Sequence, residues 1–383
     1  ALLIEVAERL RSNVRVGDFT ARWGGAEFVV CLEDFGEAAN AGAAAQKLLL
    51  VLSEKYQVGH SEVYATPSIG IALFPDSGNS AERMVKAADV AMYEAKKRGG
   101  GRFQYYSPSL NARLEQREEL EVGLRHALVR DEFVLHYQPR IDLASGRMIG
   151  LEALLRWQHP RFGLLPPARF LPILESSGLI HSAGEWVIQT ACRQLTAWQR
   201  RFELPDLSVS INLSAQQLVH SRLVDVIKKT LKDTMLDPGC VEFEISDGDA
   251  VPRRVTELET LRKLRRLGVR LSLDQFGTRD VSFESLDNGF IDSFILDRGL
   301  VADIMENDSH QRIVRAAIAM AQGLDIEVAA EGIETISQLE FLKSCNCDLA
   351  QGFLISRPMQ PEKVNALLRS EIAGTTLLDR GMP

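Results

Sequence analysis

The sequence predicts an α/β protein in which a TIM-like (β/α)8 barrel follows a smaller α/β domain. From Phe133 onward, short apolar runs alternate with longer amphipathic segments every roughly 20 to 35 residues, the pattern of repeated strand–helix units. Ahead of that point, helical and strand-like segments alternate over a shorter stretch. Because the chain has 383 residues, it can bury two hydrophobic cores of ordinary size.

The first domain is predicted from apolar residues at helical spacing between Leu2 and Leu10 and from two strand-like stretches, Phe28–Leu32 and Tyr64–Phe74. Ser107 then opens a highly charged segment, which predicts a capped connecting helix. The predicted organisation is a first domain over 1–106, a linker helix over 107–122, a second domain over 123–372 and a tail over 373–383.

The second domain is predicted to contain short strands separated by amphipathic helices. Each strand is an apolar run, and the segments between the runs are long enough to hold a helix. The predicted strands are Val134–Tyr137, Met148–Leu151, Leu207–Ile211, Val241–Ile245, Val269–Leu273, Phe294–Leu296, Ile326–Ala330 and Leu349–Leu354.

Composition limits the class of protein. The net charge is −8 and basic residues are interspersed among acids, so we expect no general nucleic-acid binding. The cysteines are odd in number and lack paired zinc spacing, which favours reduced thiols, and Cys345 and Cys347 are interpreted as packing or surface residues. No apolar run approaches the roughly 18 to 20 residues of a bilayer span. We therefore expect a cytoplasmic protein, with an upstream sensory or membrane region left open.

Polar side chains stand at the ends of the predicted barrel strands. A barrel brings the C-terminal ends of its strands to one rim, so these side chains are expected to form one acidic, oxygen-rich pocket. Hard divalent cations favour such ligands, although any single acid is also typical of a helix N-cap. Equivalent positions on several strands favour a site. The residues are Glu152, Asn212, Glu244, Asp274, Glu331 and Gln351.

The same residues lie in motifs that resemble those of EAL-domain cyclic di-GMP phosphodiesterases. The run Glu152-Ala-Leu-Leu-Arg-Trp157 is similar to the signature that names the family, and the resemblance covers residues 123–372. Further similar motifs follow in the family's order: Tyr137-Gln-Pro139, Ile211-Asn-Leu-Ser214, Asp274-Gln-Phe-Gly-Thr278, Ala330-Glu-Gly-Ile-Glu334 and Gln351-Gly-Phe353. The resemblance implies an EAL barrel that binds cyclic di-GMP.

The resemblance also implies a metal site for hydrolysis. Mg²⁺ or Mn²⁺ would serve as the cofactor, with Ca²⁺ inhibitory. In the family, residues at these positions hold metal ions that activate a water against the phosphodiester. The implied ligands are Glu152, Asn212, Glu244, Asp274 and Glu331.

Four departures from the family pattern argue against efficient hydrolysis. Gln275 replaces a second Asp and cannot supply its negative charge, and Ile295 replaces a Lys and cannot orient a water. The family's E-L-T-E run reads Glu244-Ile-Ser-Asp247, and the loop after Thr278 is altered. Losing one catalytic group commonly costs on the order of 100-fold in rate. We therefore regard Glu152 and Glu331 as vestigial catalytic residues.

Ligand binding is expected to survive better than catalysis and to need no cofactor. Arg156 can reach a phosphate, and polar residues remain on the pocket walls. The predicted ligand-binding residues are Gln138, Glu152, Leu155, Arg156, Asn212, Asp274, Glu331, Glu334 and Gln351.

The first domain resembles a partial GGDEF diguanylate cyclase. The run Arg22-Trp-Gly-Gly-Ala-Glu-Phe28 is similar to the family's hairpin signature, with support from Ser68-Ile-Gly70 and Ala88–Lys96. Ala26 stands where the family has an acidic residue that helps to hold Mg²⁺, and a methyl group cannot do this. Gly100 stands where an Arg is expected. We therefore expect no cyclase activity.

Arg15 and Asp18 match the spacing of the product-binding inhibitory site found in many cyclases. An Arg fork suits a phosphate or a guanine edge, and an Asp can accept from guanine nitrogens. An exposed salt bridge is the alternative, and the sequence favours neither.

The leading hypothesis is an inactive receptor that binds cyclic di-GMP in the EAL barrel and signals to a protein partner. The alternatives are a weak Mg²⁺- or Mn²⁺-dependent phosphodiesterase and a scaffold that binds no ligand. The resemblance implies a homodimer through the EAL domain and a small PilZ-type adaptor as possible partners.

Overall fold

The computed structural model describes residues 2–15, 17–33, 38–58, 61–246, 255–277 and 290–377. The chain divides into two compact units, Ala1–Leu120 and Glu121–Pro383. Within the described ranges, none of the helices has both the length and the apolar composition needed to cross a bilayer.

The first unit alternates helices with short strands. Its helices are α1 (Leu2–Asn13), α2 (Ala38–Ser53), α3 (Ala81–Lys97) and the start of α4 (Pro108–Ala127), which continues into the second unit. Its strands are β1 (Phe19–Gly24), β2 (Glu27–Cys31), β3 (Tyr56–Val58), β4 (Ser61–Val63), β5 (Ser68–Ile71) and β6 (Arg102–Tyr105).

Helix α3 packs closely on β5, and its sequence explains how. Ser80 caps the helix by accepting from the Arg83 amide, and the alanines at 87, 91 and 95 are buried along one face. Small residues at intervals of four give a narrow stripe that allows the backbones to approach. On the strand side, a Cβ at Gly70 would lie 1.8 Å from the Ala88 carbonyl oxygen. Gly70 is therefore required for this contact.

The second unit holds the barrel strands and the helices that surround them. The strands are β7 (Phe133–Asp142), β8 (Met148–His159), β9 (Gly163–Leu165), β10 (Ser208–Leu213), β11 (Val241–Ser246), β12 (Arg270–Phe276), β13 (Ser293–Leu296), β14 (Glu327–Ala330) and β15 (Leu349–Ala350). The helices are α5 (Leu171–Ser176), α6 (Ile180–Phe202), α7 (Ala215–Leu218), α8 (Leu223–Thr234), α9 (Val255–Leu267), α10 (Arg298–Ala302), α11 (Asp308–Leu324), α12 (Ile336–Ser344) and α13 (Pro361–Ile372), with short 3₁₀ turns at Pro167–Arg169 and Pro238–Cys240.

Eight of these strands close into a barrel. The hydrogen-bonded order runs from β10 through β15 to β7 and β8, and β8 pairs with β10 to complete the ring. Strand β9 extends β8 outside it. This confirms the predicted barrel and the two-domain α/β class.

One strand departs from a fully parallel (β/α)8 barrel. Strand β7 is antiparallel to both of its neighbours, β8 and β15. The reason is the connection: only residues 143–147 link β7 to β8, and a parallel crossover needs a dozen or more residues. The predicted strand Val134–Tyr137 is therefore the start of a hairpin.

The main core lies between the barrel and its helices. The ring of Tyr137 packs edge-on against Trp198 at 4.8 Å, which joins β7 to α6. The Trp198 indole nitrogen donates to Asn365 of α13 over 3.0 Å, so this buried polar atom is satisfied. These contacts hold β7 against α6 and α13, and β7 carries residues of the pocket.

Candidate active site in the barrel

Five of the six predicted strand-end residues lie close together in the barrel, and the sixth, Asp274, lies beside them. Asn212 and Glu244 are in register on neighbouring strands, and Ser246, two residues beyond Glu244, is in register with Asp274. Glu331 and Gln351 directly follow β14 and β15. Parallel strands deliver these positions to the same rim, as the sequence predicted.

Glu152 is buried and is held by two neutral amides. Asn212 Nδ2 donates to Glu152 Oε1 over 2.7 Å, and Gln351 Nε2 donates to Glu152 Oε2 over 2.5 Å. Gln351 Nε2 also approaches Gln138 Oε1 at 3.2 Å, and Gln138 Nε2 donates to the Ser356 carbonyl over 2.8 Å. Each side chain is fixed by another, so this part of the pocket is preorganised.

Three carboxylates meet at the centre of the rim. Glu152, Glu244 and Glu331 each place an oxygen within 4.8 Å of the others. Burial, together with the charge of Glu152, raises the pKa of Glu244 to about 8. Burial and the charges of Glu152 and Glu244 raise the pKa of Glu331 well above its ordinary value. The cluster therefore carries repulsion that a bound cation would relieve.

Asp274 stands beside this cluster. Burial and the charge of Glu244 raise its pKa to about 6, although its Oδ1 accepts from the Gln275 backbone amide over 2.7 Å. Gln275 itself is exposed and adopts a left-handed φ of 61°. Gln275, which the resemblance aligns with a second Asp of the family, therefore lies at the exposed rim.

The site includes a cation that the sequence analysis missed. Arg140, on β7, is 4% exposed. Its Nη2 donates to Glu244 over 2.6 Å, its Nη1 donates to Glu242 over 3.1 Å, and its Nε approaches Gln351 at 3.4 Å. The sequence feature that could have indicated Arg140 is the alternation of side chains along a strand. Arg140 lies two residues after Gln138 on the same face of β7, and Glu242 lies two residues before Glu244 on the same face of β11.

Ile295 lies in an apolar layer of the barrel. It is fully buried and clusters with Ala329 and Leu349, with Ile149 packed against them. It therefore offers neither a charge nor a hydrogen bond to the carboxylates.

Arg156 and Leu155 occupy opposite faces of β8. Arg156 is four residues beyond Glu152, on the same face, and burial lowers its pKa while the Glu152 carboxylate raises it. Its Nη1 donates to the Leu155 carbonyl over 2.8 Å. The Leu155 side chain packs against the large apolar core, and its role in ligand binding stays a prediction.

Glu334 lies at the outer edge of the rim. Its Oε1 pairs with Arg298 Nη2 at 3.0 Å, and both side chains are about half exposed or more. Its role in ligand binding stays a prediction. Asp247 and the altered loop that begins at Thr278 lie outside the described residues.

The first unit places its signature on a tight hairpin. Gly24 pairs with Glu27, Gly25 has a φ of 51°, and the Arg22 guanidinium donates to the Gly25 carbonyl at 3.1 and 2.7 Å. Ala26 thus occupies the second turn position without a carboxylate.

The Asp18 carboxylate is engaged by the backbone. It accepts from the Arg15 amide over 2.7 Å and from the Glu33 amide over 3.2 Å. Arg15 is exposed. The two residues form a turn, and the Arg15 guanidinium has no acidic partner among the described residues. A phosphate-binding role for Arg15 stays a prediction.

The barrel residues fit a hard divalent cation. The ligand atoms are carboxylate and amide oxygens, the type that Mg²⁺ and Mn²⁺ prefer. The hydroxyl of Ser272, in register with Glu244, is fully buried and has no hydrogen-bond partner among the described residues. An unsatisfied hydroxyl in register with Glu244 favours a further occupant near that carboxylate.

Comparisons with known proteins agree with this geometry. The sequence matches the EAL domain over residues 121–358 and the diguanylate cyclase, GGDEF domain over residues 1–102. It is 40% identical over 365 residues to the bifunctional diguanylate cyclase/cyclic di-GMP phosphodiesterase MucR of Pseudomonas aeruginosa, covering 95% of this chain and 53% of that protein. It is 37% identical over 373 residues to the cyclic di-GMP phosphodiesterase NbdA of the same organism, covering 96% and 47%. The chain spans about half the length of these relatives.

Solved structures show the same barrel. A MucR phosphodiesterase in complex with cyclic di-GMP superposes with a TM-score of 0.62 at 39% identity, covering 64% of this chain and 99% of that one. The EAL domain of FimX from Pseudomonas aeruginosa, bound to cyclic di-GMP, gives a TM-score of 0.56 at 25% identity, covering 63% and 96%. This chain therefore belongs to the EAL domain family and carries a GGDEF domain ahead of its EAL barrel.

Proposed function

We propose that this protein is a receptor that binds cyclic di-GMP at the mouth of the EAL barrel and hydrolyses it poorly. The observation that carries the proposal is the hydrogen bonding of Glu152. Both of its oxygens are already held by the Asn212 and Gln351 amides, so the pocket keeps its shape through neutral contacts. A preorganised pocket loses less free energy to ordering when a ligand binds.

Two positions support weak turnover. Ile295 places an apolar side chain where the family has a Lys, and Gln275 places a neutral amide where it has an Asp. Cyclic di-GMP carries two phosphates, which Arg156 at the rim can meet with a planar pair of donors. The bound states of the MucR and FimX domains support the choice of ligand.

The carboxylate cluster favours a second candidate, a weak phosphodiesterase. Glu152, Glu244 and Glu331 would hold Mg²⁺ or Mn²⁺, with Asn212 and Asp274 beside them. When bound, such a cation lowers the pKa of a water and stabilises charge on a phosphate. Ca²⁺ would occupy the same oxygens and inhibit turnover. Ligand binding itself would need no cation.

The deciding experiment is calorimetric titration with cyclic di-GMP in Ca²⁺ and again in EDTA, using the unmutated protein, Arg156→Ala and Arg15→Ala. Micromolar or tighter binding that Arg156→Ala abolishes supports the receptor. A fall in stoichiometry in Arg15→Ala would add a site in the first unit. The absence of heat at several temperatures would overturn the receptor and favour a scaffold.

Turnover is tested separately by following the linear dinucleotide product in Mn²⁺. Release of product that Glu152→Ala abolishes would support the phosphodiesterase candidate. A receptor also needs a protein that reads its state, and we propose a second copy of this chain or a small PilZ-type adaptor. Sedimentation with and without ligand tests the first, and co-purification with a PilZ-type adaptor tests the second.

A further inference from the structure

Arg140 is buried directly beside the carboxylate cluster. Its guanidinium contacts Glu244 at 2.6 Å and Glu242 at 3.1 Å, and these three side chains are each less than a tenth exposed. Arg270 extends the network, with its Nε at 3.6 Å from the second Glu242 oxygen. The interior of the barrel at this level is therefore ionic.

Acidic groups outnumber basic ones around the carboxylate cluster, since Glu152, Glu244 and Glu331 lie close together and Glu242 also contacts Arg140. Arginine keeps its positive charge in proteins, and the Arg140 guanidinium lies within hydrogen-bond distance of both Glu244 and Glu242. Burying a carboxylate without a counter-charge is costly, and removing the partner of a buried charge is strongly destabilising. Arg140 is placed to offset part of this cost without any metal.

The same charge acts on anything positive that enters the cluster. Glu244 Oε1 is already engaged by Arg140, and a divalent cation bound at Glu244 would lie within a few ångströms of a fixed positive charge. Like charges this close repel, and the repulsion is strong in a poorly solvated interior. A fixed positive charge that stabilises these carboxylates without a metal is therefore expected to weaken their binding of a cation.

We propose that Arg140 is a positioning residue that serves as a built-in counter-charge for the carboxylate cluster. It holds Glu244 and Gln351 in place in the metal-free barrel, and it lowers the affinity of the cluster for a divalent cation. The inference concerns cation binding by this chain and does not depend on cyclic di-GMP or on hydrolysis.

The test compares Arg140→Met with the unmutated protein in the absence of nucleotide. Methionine has a similar length and no charge. After treatment with EDTA, the midpoint of thermal unfolding is measured with and without Mn²⁺, and Mn²⁺ affinity is measured by calorimetry. We expect the variant to be less stable without metal, to gain more from Mn²⁺ than the unmutated protein, and to bind Mn²⁺ about tenfold more tightly.

Two further variants separate charge from packing. Arg140→Lys keeps the charge and should retain an Mn²⁺ response close to that of the unmutated protein. Glu242→Gln removes a negative charge that offsets the charge of Arg140. The repulsion between Arg140 and Mn²⁺ should therefore increase, and Mn²⁺ should bind more weakly. If Arg140→Met folds only with Mn²⁺, this result supports the role of Arg140 as a counter-charge. Equal or weaker Mn²⁺ binding in Arg140→Met, or no change in Glu242→Gln, would overturn the proposal.

Discussion

Gln275 combines a left-handed backbone with a neutral side chain at the exposed rim. A non-glycine residue at φ 61° costs on the order of 1 kcal/mol, and Asp or Asn tolerates this region better than Gln. The next residue on the N-terminal side, Asp274, keeps its carboxylate at the cluster. We therefore expect the neutral amide at this position to weaken cation binding, and the positive φ slightly strains the backbone.

We predict that Gln275→Asp strengthens divalent-cation binding by about tenfold and raises any Mn²⁺-dependent hydrolysis. The new carboxylate adds negative charge next to Asp274 without disturbing the backbone. Calorimetry with Mn²⁺ and product release from cyclic di-GMP measure the two effects. Gln275→Asn is the matched control, since it fits the same φ without the charge. An equal gain in both variants would show that charge is not the limit.

The pKa values of the cluster predict how stability depends on pH. In the metal-free barrel, the pKa of Glu244 rises from 4.5 to about 8 and that of Asp274 from 3.8 to about 6, chiefly through burial. The folded protein therefore binds these protons more tightly than the unfolded chain. Their favourable contribution is complete below pH of about 4 and is lost as the pH rises through about 6 and then 8.

We expect the free energy of unfolding in EDTA to fall between pH 5 and 8.5 and Mn²⁺ to restore part of it at the upper end. Urea unfolding at a series of pH values measures this. Glu244→Gln carries no titrating group and should flatten the upper part of the curve. A flat profile in the unmutated protein would contradict this prediction, because it would mean that folding does not raise the pKa values of these carboxylates.

At the scale of elements, the sequence predicted the barrel strands well because the apolar runs are short and regularly spaced. It did not predict that β7 is antiparallel, since this depends on the length of one connection rather than on any strand pattern. It also predicted that the carboxylate and amide residues meet at the rim, but it did not predict Arg140 there. Strand alternation pairs Arg140 with Gln138, yet only the closed ring brings it to Glu244 from a distant part of the chain.

The contact between α3 and β5 gives a prediction for the first unit. In Gly70→Ala the new methyl group would meet the Ala88 carbonyl, so helix and strand must separate. Overpacking of this kind typically costs about 1–3 kcal/mol. Urea unfolding of the whole chain measures the loss, and Gly24→Ala is the control because a Cβ there meets nothing within 4 Å. Similar losses in both variants would contradict the packing argument.

At the scale of the whole molecule, the chain consists of two units with separate cores and separate candidate sites. The barrel cluster lies within residues 138–351, and the turn of Arg15 and Asp18 lies in the first unit. A ligand stabilises the unit that binds it, by an amount set by its concentration relative to Kd. Thermal unfolding of the intact chain can therefore report which unit is the receptor.

We predict two thermal transitions, of which cyclic di-GMP raises the one that belongs to the barrel. At about 100 times Kd the ligand contributes about 2.7 kcal/mol, or roughly 5 to 10 °C for a domain of this size. Gly70→Ala assigns the transitions, because it should lower only that of the first unit. If the ligand raises the first unit's transition and Arg15→Ala removes that shift, the turn also binds cyclic di-GMP. If Arg156→Ala leaves the barrel shift intact, the ligand does not bind where we propose.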